Sequence, residues 1–517
     1  MWTTLFLVAS LGAIWFISKR KAVVKLNMPY VQFDGNNSDA RYISETKSLM
    51  ERGYYNYIKS GQAFAIRNPV DEKHPQVILP MKYLDQVRNA PQSAFDFYPF
   101  LKKASVMEDI HGCWLTNTAS DMVRVELTKA LTSMIPSLDE ECLRACDKII
   151  PPCEGVYSLS MQTPFSMSSL TLLDWSQIMP FQVLLPIFAY TTAVVLYGTE
   201  LCHDEDWMGM ILAYIPSVMM APISVTEKYH PSLRWLAKYF DTPTKSVIQL
   251  RRRAGELLQP ILATHAKGTP SGKTSASGNA IQWLISRYQD QGKVPTSDDL
   301  AQDILFVTVA ATQTTPAVGT SILFDLMDRP DSVTDIQEEI SQVYDEKVGW
   351  TRSSLADLKV LDSFMKESKR VHTFTQVTVE KMAMQSHTFD DGLHIPAETQ
   401  ISFPNQQLNL DDDITPDAKT FDPKRWLRMR QGADRAKFHF ASVSDDSITW
   451  GSGYHACPGR FLAQDTLKLM FTRLLTHYEF KYLDGTQERP PDMYYGFGVA
   501  PNMATPILIR KKSSISK

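Results

Sequence analysis

A basic excess is the first thing this chain lacks. Lysine and arginine number 53 against 57 aspartate and glutamate, a formal charge of −4. Nucleic-acid binding needs a basic surface to neutralise phosphates, so the composition argues against that role. Cysteine is also scarce, with six in 517 residues: Cys113, Cys142, Cys146, Cys153, Cys202 and Cys457. That density excludes a small disulfide scaffold and fits a reducing compartment for the main domain. Cys142 and Cys146 lie four apart, yet no second Cys or His pair at zinc-type spacing follows, which leaves them as core or surface thiols. No repeat of roughly 20–50 residues occurs, and solenoid architectures drop out with it.

What is present begins at the N-terminus. Trp2 to Ser18 is almost wholly apolar and uncharged, and Lys19, Arg20 and Lys21 follow at once. A signal peptide carries its basic residues ahead of the apolar run; the reverse order reads as a retained anchor with its basic flank cytoplasmic. The run is at the short end for a span of about 20 residues. The expected organisation is a transmembrane anchor at 1–18, a linker at 19–28 and one catalytic domain over 29–517. Met179 to Gly198 is a second apolar stretch, but it carries Pro180, Gln182 and Pro186 and reads as a core helix. Met208 to Val225 is either a core segment or a lip against the bilayer.

The rest is mainly α with a small β region. Ala301 to Met327, Leu355 to His372 and Ala463 to Tyr478 have helical spacing. Strand-like pieces fall at Ala63 to Arg67, Val77 to Leu79, Phe480 to Leu483 and Ile507 to Ile509. Thr264 to Asn279 is a loop rich in Gly, Ser, Thr and Lys. Its Gly268 to Thr274 segment imitates a phosphate-binding loop, but the glycine spacing is one residue short and no apolar strand precedes it.

The chemistry concentrates in Trp450-Gly-Ser-Gly453-Tyr-His455-Ala-Cys457-Pro-Gly459. A single cysteine follows a glycine-rich turn and precedes a helix that starts near Arg460. Glycines allow the backbone to approach a flat cofactor, and N–H groups at a helix start favour a thiolate. A thiolate bound to iron pushes electron density that favours O–O cleavage. Glu367 and Arg370 stand at i, i+3 on one helix face, and Arg425 precedes the cysteine loop, able to complete an internal charge network. Basic residues also gather there: Lys424, Arg428, Arg430, Arg435, Lys437 and Arg460.

Together these motifs resemble the cytochrome P450 family, from about residue 29 to 510. The Cys457 loop is similar to its heme-ligand signature, Glu367 and Arg370 to its Glu-x-x-Arg pair, and Arg425 to its Pro-x-Arg arginine. Cys-Pro-Gly-Arg-Phe-Leu-Ala and Gly496-Phe-Gly-Val resemble fungal secondary-metabolism members, including ent-kaurene oxidase-like ones. The resemblance implies a cytochrome P450 fold behind a transmembrane helix and heme b ligated by the Cys457 thiolate. It implies His455, Trp450, Gly453 and Arg124 as further cofactor contacts. It further implies O2 activation with electrons from NADPH through NADPH-cytochrome P450 reductase, docked on the basic surface near the cysteine. The implied substrate is small and apolar, of terpenoid or prenylated indole alkaloid type. The implied location is the endoplasmic reticulum membrane, single-pass, with the catalytic domain cytoplasmic.

Three departures stand out. Trp450 replaces the family's phenylalanine. A Trp-x-x-x-Arg propionate grip is absent, leaving Arg124 in its region. Ala310-Ala311-Thr312-Gln313-Thr314-Thr315 resembles the oxygen-activation segment, with Thr314 as the relay hydroxyl and Gln313 where an acid is usual. Gln313 keeps a reductase-independent peroxygenase or isomerase in play, and a non-catalytic heme-binding protein is the more distant alternative.

Overall fold

The computed structural model describes residues 24–68, 70–71, 73–153, 175–268, 278–432, 435–483 and 488–512. The expected anchor at 1–18 and most of the phosphate-loop imitation lie outside the described residues.

Helices dominate, and the longest, Ser297–Met327, runs 31 residues through the centre. Its start is fixed by a capping box in which the Thr296 hydroxyl and the Asp299 side chain each bond the other's backbone N–H. The apolar stretch expected as a core helix forms Pro180–Leu201, which packs on Ser297–Met327 and on the helix Thr128–Ile149. The following helix, Glu205–Lys228, tolerates Pro216 and Pro222 and buries Trp207, Ile211 and Tyr214. Both are long and apolar enough to span a bilayer, yet 61% and 50% of their apolar windows are buried in the protein. Their hydrophobicity is the burial of interior helices. Cys142 and Cys146 are buried core thiols on one face of Thr128–Ile149.

The expected helix at Leu355 to His372 is two helices, Arg352–Asp357 and Lys359–Val371, separated by Leu358 at φ −72°, ψ 74°. A second capping box, between Thr351 and Ser354, starts the first.

The β region is larger than the strand-like pieces suggest. A six-stranded sheet has the order Tyr30–Val31, Phe64–Ile66, Gln76–Ile78, Gln400–Pro404, Val377–Ala383, Phe95–Asp96. Two of its central strands, Gln400–Pro404 and Val377–Ala383, escape sequence reading. They are buried through most of their length, so neither shows alternating polarity. Val377–Ala383 also carries an irregularity between Thr378 and Lys381, with Val379 at φ +52°. That bulge re-aims neighbouring side chains toward the cavity described below. A three-stranded antiparallel sheet joins Tyr478–Tyr482, Ile507–Lys511 and Ser176–Ile178.

Candidate active site

Between the long helix, the cysteine loop and Val377–Ala383 lies a cavity of about 440 Å³. Ala310, Ala311 and Thr314 line it from the helix, and Gly451, His455 and Cys457 from the loop. Segments about 140 residues apart in sequence thus face one space.

Local backbone chemistry shapes the loop. The Cys457 N–H donates to the Trp450 carbonyl at 2.7 Å, closing a turn whose tip is the short 3-10 segment Gly453–His455. Gly451 holds φ +80°, and a Cβ there would lie 3.3 Å from the His455 carbonyl oxygen. Only glycine takes both that conformation and that approach without strain. Gly453, at φ +64°, lies against Arg88 and is not among the residues lining the cavity; it shapes the turn. The Trp450 indole N–H donates to the Phe440 carbonyl at 2.7 Å, leaving its ring beside the cysteine.

Cys457 is the one cysteine that lines the cavity. Burial pushes its thiol above the ordinary value; the Lys369 ammonium and the N–H groups of Gly459 and Arg460 pull the other way. Those two N–H groups open the helix Arg460–His477, where the helix dipole adds to their effect on a sulfur anion.

The structure brings Glu367, Arg370 and Arg425 together. Arg370 grips Glu367 with two bonds, at 2.7 and 3.0 Å, and Arg425 Nε reaches it at 3.1 Å. The Trp426 indole and the Asp422 N–H complete the carboxylate's shell at 2.9 and 3.0 Å. Each guanidinium also donates to backbone carbonyls, Arg370 to Asn409 and Ala418, Arg425 to Pro416 and Asp417. All three residues are buried, and the network ties the helix Lys359–Val371 to the segment before the cysteine loop.

Three basic groups line another part of the cavity. Arg124 sits on a π-helical segment, Val123–Leu127, and bonds the Tyr454 carbonyl at 2.8 Å and Asp121 at 2.9 Å. Burial, with Lys381 and Arg124 nearby, lowers His455 to about 4, so its imidazole is neutral at pH 7 and serves as a hydrogen-bonding group rather than a cation. Lys381 is the third, buried and donating to the Val87 carbonyl at 2.8 Å. Sequence reading misses Lys381 because the bulged strand that presents it has no period. It also misses Glu380, a cavity-lining carboxyl that burial pushes up to about 8.

Thr314 lines the cavity, its hydroxyl donating to the Ala310 carbonyl at 3.1 Å. Gln313 does not line it, and its side chain makes no hydrogen bond to a described residue. Pro316 lies inside an unbroken helix, and its missing N–H leaves the Thr312 carbonyl without its helical donor.

The basic surface expected around the cysteine loop is mostly not a free surface. Arg430 turns inward to the buried Asp362, and Arg425 belongs to the Glu367 network. Arg460 bonds the carbonyls of Cys457 and Ala441, and Lys424 pairs with Asp335 at 2.6 Å. Arg428, paired with Asp422, keeps a side chain 60% exposed.

An iron porphyrin fits this donor set. One soft sulfur ligand with N–H support, a tight loop turn that Gly451 permits, and the Arg124, Lys381 and His455 side chains as donors for two carboxylates all border one cavity.

Comparison with known proteins agrees. Residues 195–506 match the family model for cytochrome P450. The cytochrome P450 monooxygenase cheE of Chaetomium globosum is 37% identical over 94% of this chain and 92% of its own length. The pyrichalasin C-7 hydroxylase of Pyricularia grisea is 30% identical over 94% of this chain and 93% of its own. The solved structure of a retinoic acid-bound cyanobacterial CYP120A1 superposes with a TM-score of 0.65, covering 94% of this chain and all of that one, at 15% identity. The chain therefore belongs to the cytochrome P450 family, as a monooxygenase whose cofactor is heme held through a cysteine thiolate.

Proposed function

We propose that Cys457 holds the heme iron and that the enzyme hydroxylates an apolar secondary metabolite with O2 and electrons relayed from NADPH by a cytochrome P450 reductase. One observation carries this reading: Cys457 and Thr314, from segments far apart in sequence, line a single, largely apolar cavity. Bound heme supplies oxygen activation. The chain's own residues do the rest. Gly459 and Arg460 N–H groups favour negative charge on the sulfur, and Arg124, His455 and Lys381 are the groups to hold the porphyrin carboxylates. Phe306, Val307, Phe374 and Val318 exclude water and bind apolar substrate. The Thr314 hydroxyl accepts and passes a proton inside the cavity. Gln313, outside the lining, stays out of that relay.

For the substrate we infer a pyrichalasin-like compound, on the strength of the hydroxylase relative, beside the terpenoid or prenylated indole alkaloid that the sequence resemblance implied. Glu380, protonated at pH 7, offers a hydrogen-bonding contact in this largely apolar lining.

Residues 1–18 we propose as a single-pass endoplasmic reticulum anchor, with 19–28 as linker and 29–517 as a cytoplasmic domain. Met219, Met220, Leu233, Trp235, Tyr239 and Phe240, all exposed and close in sequence, suit the same bilayer. The test reconstitutes purified enzyme with reductase, NADPH and pyrichalasin-type precursors. A product gaining one oxygen, dependent on reductase, supports the reading. Turnover with peroxide alone, undiminished when reductase is omitted, contradicts it.

A further inference from the structure

Lys369 occupies an odd position for a lysine. It lies between Glu367 and Arg370 on the helix Lys359–Val371, and at about 100° per residue it is turned roughly 200° from Glu367, away from the ion network. It lines the same cavity as Cys457 and is 4% exposed. Its Nζ has no hydrogen-bond partner among the described residues. Lys366, one turn away in the same helix, is also buried but donates to the carbonyls of Lys437 and His439 at 3.3 and 3.0 Å. Lys369 finds instead the face of Trp450, 2.8 Å from Nζ to the ring centre, with Phe440 at 5.5 Å. An ammonium without acceptors in an apolar interior is costly, and a fixed anion beside it is what offsets that cost. Burial, joined by Lys366, pulls Lys369 well below its ordinary value, and the Cys457 sulfur is the group whose negative charge holds it toward the protonated form.

We propose that Lys369 is a positioning residue whose ammonium, held against Trp450, stabilises negative charge on the Cys457 sulfur and so raises the potential at which the bound heme takes up its first electron. The proposal rests on the reading of Cys457 as the iron's ligand. Reduction adds one negative charge to a site that already carries an anionic sulfur, so a nearby cation favours the reduced form. The low polarity of the surroundings enlarges the effect. No proton need move for it.

The test uses full-length, heme-loaded enzyme and the variants Lys369→Met, Lys369→Gln and Lys369→Arg. All are first scored for the long-wavelength carbon monoxide band, which reports the sulfur ligand independently of Lys369; its absence from the wild type would remove the ligand reading and this proposal with it. The iron(III)/iron(II) midpoint is then measured by spectroelectrochemistry. With the band intact, Lys369→Met and Lys369→Gln are expected to disfavour reduction at least tenfold, a fall of about 59 mV for one electron. Lys369→Arg should restore most of that shift. Midpoints of both neutral variants within twofold of wild type overturn the proposal. So does loss of heme from both, since Lys369 would then be a structural residue.

Discussion

The backbone N–H of Cys457 donates to the carbonyl of Trp450 across seven residues, at 2.7 Å. This bond fixes the path of the loop, and the path works only because Gly451 adopts φ +80° beneath it. Gly451→Ala would add a Cβ 3.3 Å from the His455 carbonyl and place a non-glycine in the left-handed region, a strain of about 1–3 kcal/mol. The expected outcome is a lower heme-to-protein ratio and a reduced melting temperature. Normal heme content would show that the loop tolerates a shift.

Glu367 has five donors and no exposure. Glu367→Ala leaves two guanidinium groups buried without their anion, which costs roughly 3–5 kcal/mol. Urea unfolding of the variant, or its failure to accumulate as soluble protein, checks this.

Arg428 and Arg430 should separate sharply under charge reversal. Arg430→Glu sets a second carboxylate against the buried Asp362 and is expected to unfold the domain, by about 3–5 kcal/mol. Arg428→Glu sits on a side chain 60% exposed and should fold normally. It should slow electron transfer from reductase at low ionic strength and lose that effect in high salt, where screening removes steering. Stopped-flow reduction across salt concentrations measures both.

These arginines show where sequence reading stopped. The cysteine loop was legible because its glycines, cysteine and following helix are contiguous. The partners Glu367 and Arg425 stand 58 apart, and their complementary charges suggested a network that the family resemblance then supported. Arg430 looked like one more surface cation, since nothing near it in sequence announces Asp362, 68 residues away. Lys381 and Glu380 stayed hidden for another reason: a buried, bulged strand has neither the alternation of a sheet face nor the period of a helix. The long helix was legible from its spacing and Pro180–Leu201 from its interrupting prolines and Gln182, whereas Met208 to Val225 stayed open between core and bilayer lip because composition alone does not separate the two.

Thr314 and Gln313, adjacent in sequence, should behave differently. Thr314→Ala removes the hydroxyl that lines the cavity and should cut product formation roughly tenfold or more while NADPH consumption and peroxide release continue. Gln313→Ala should change turnover less than twofold, about 0.4 kcal/mol in barrier. Product and peroxide assays on the pair decide it.

Acid dependence of stability should carry a signature from Asp303. Burial raises its carboxyl to about 6 against 3.8 ordinarily, despite bonds from the Thr116 and Tyr288 hydroxyls. Between those values the unfolded chain has lost the proton and the folded one keeps it. This residue's contribution is therefore full below about pH 4 and declines as pH rises through 6, by roughly 3 kcal/mol. Asp303→Asn should flatten the melting temperature against pH over that interval. An unchanged slope would contradict the assignment.

The most direct measurement of all is the carbon monoxide spectrum of the reduced protein beside that of Cys457→Ala. Sulfur ligation predicts a long-wavelength band in the parent and its loss in the variant. A variant that kept both full pigment and that band would show that the iron is held elsewhere.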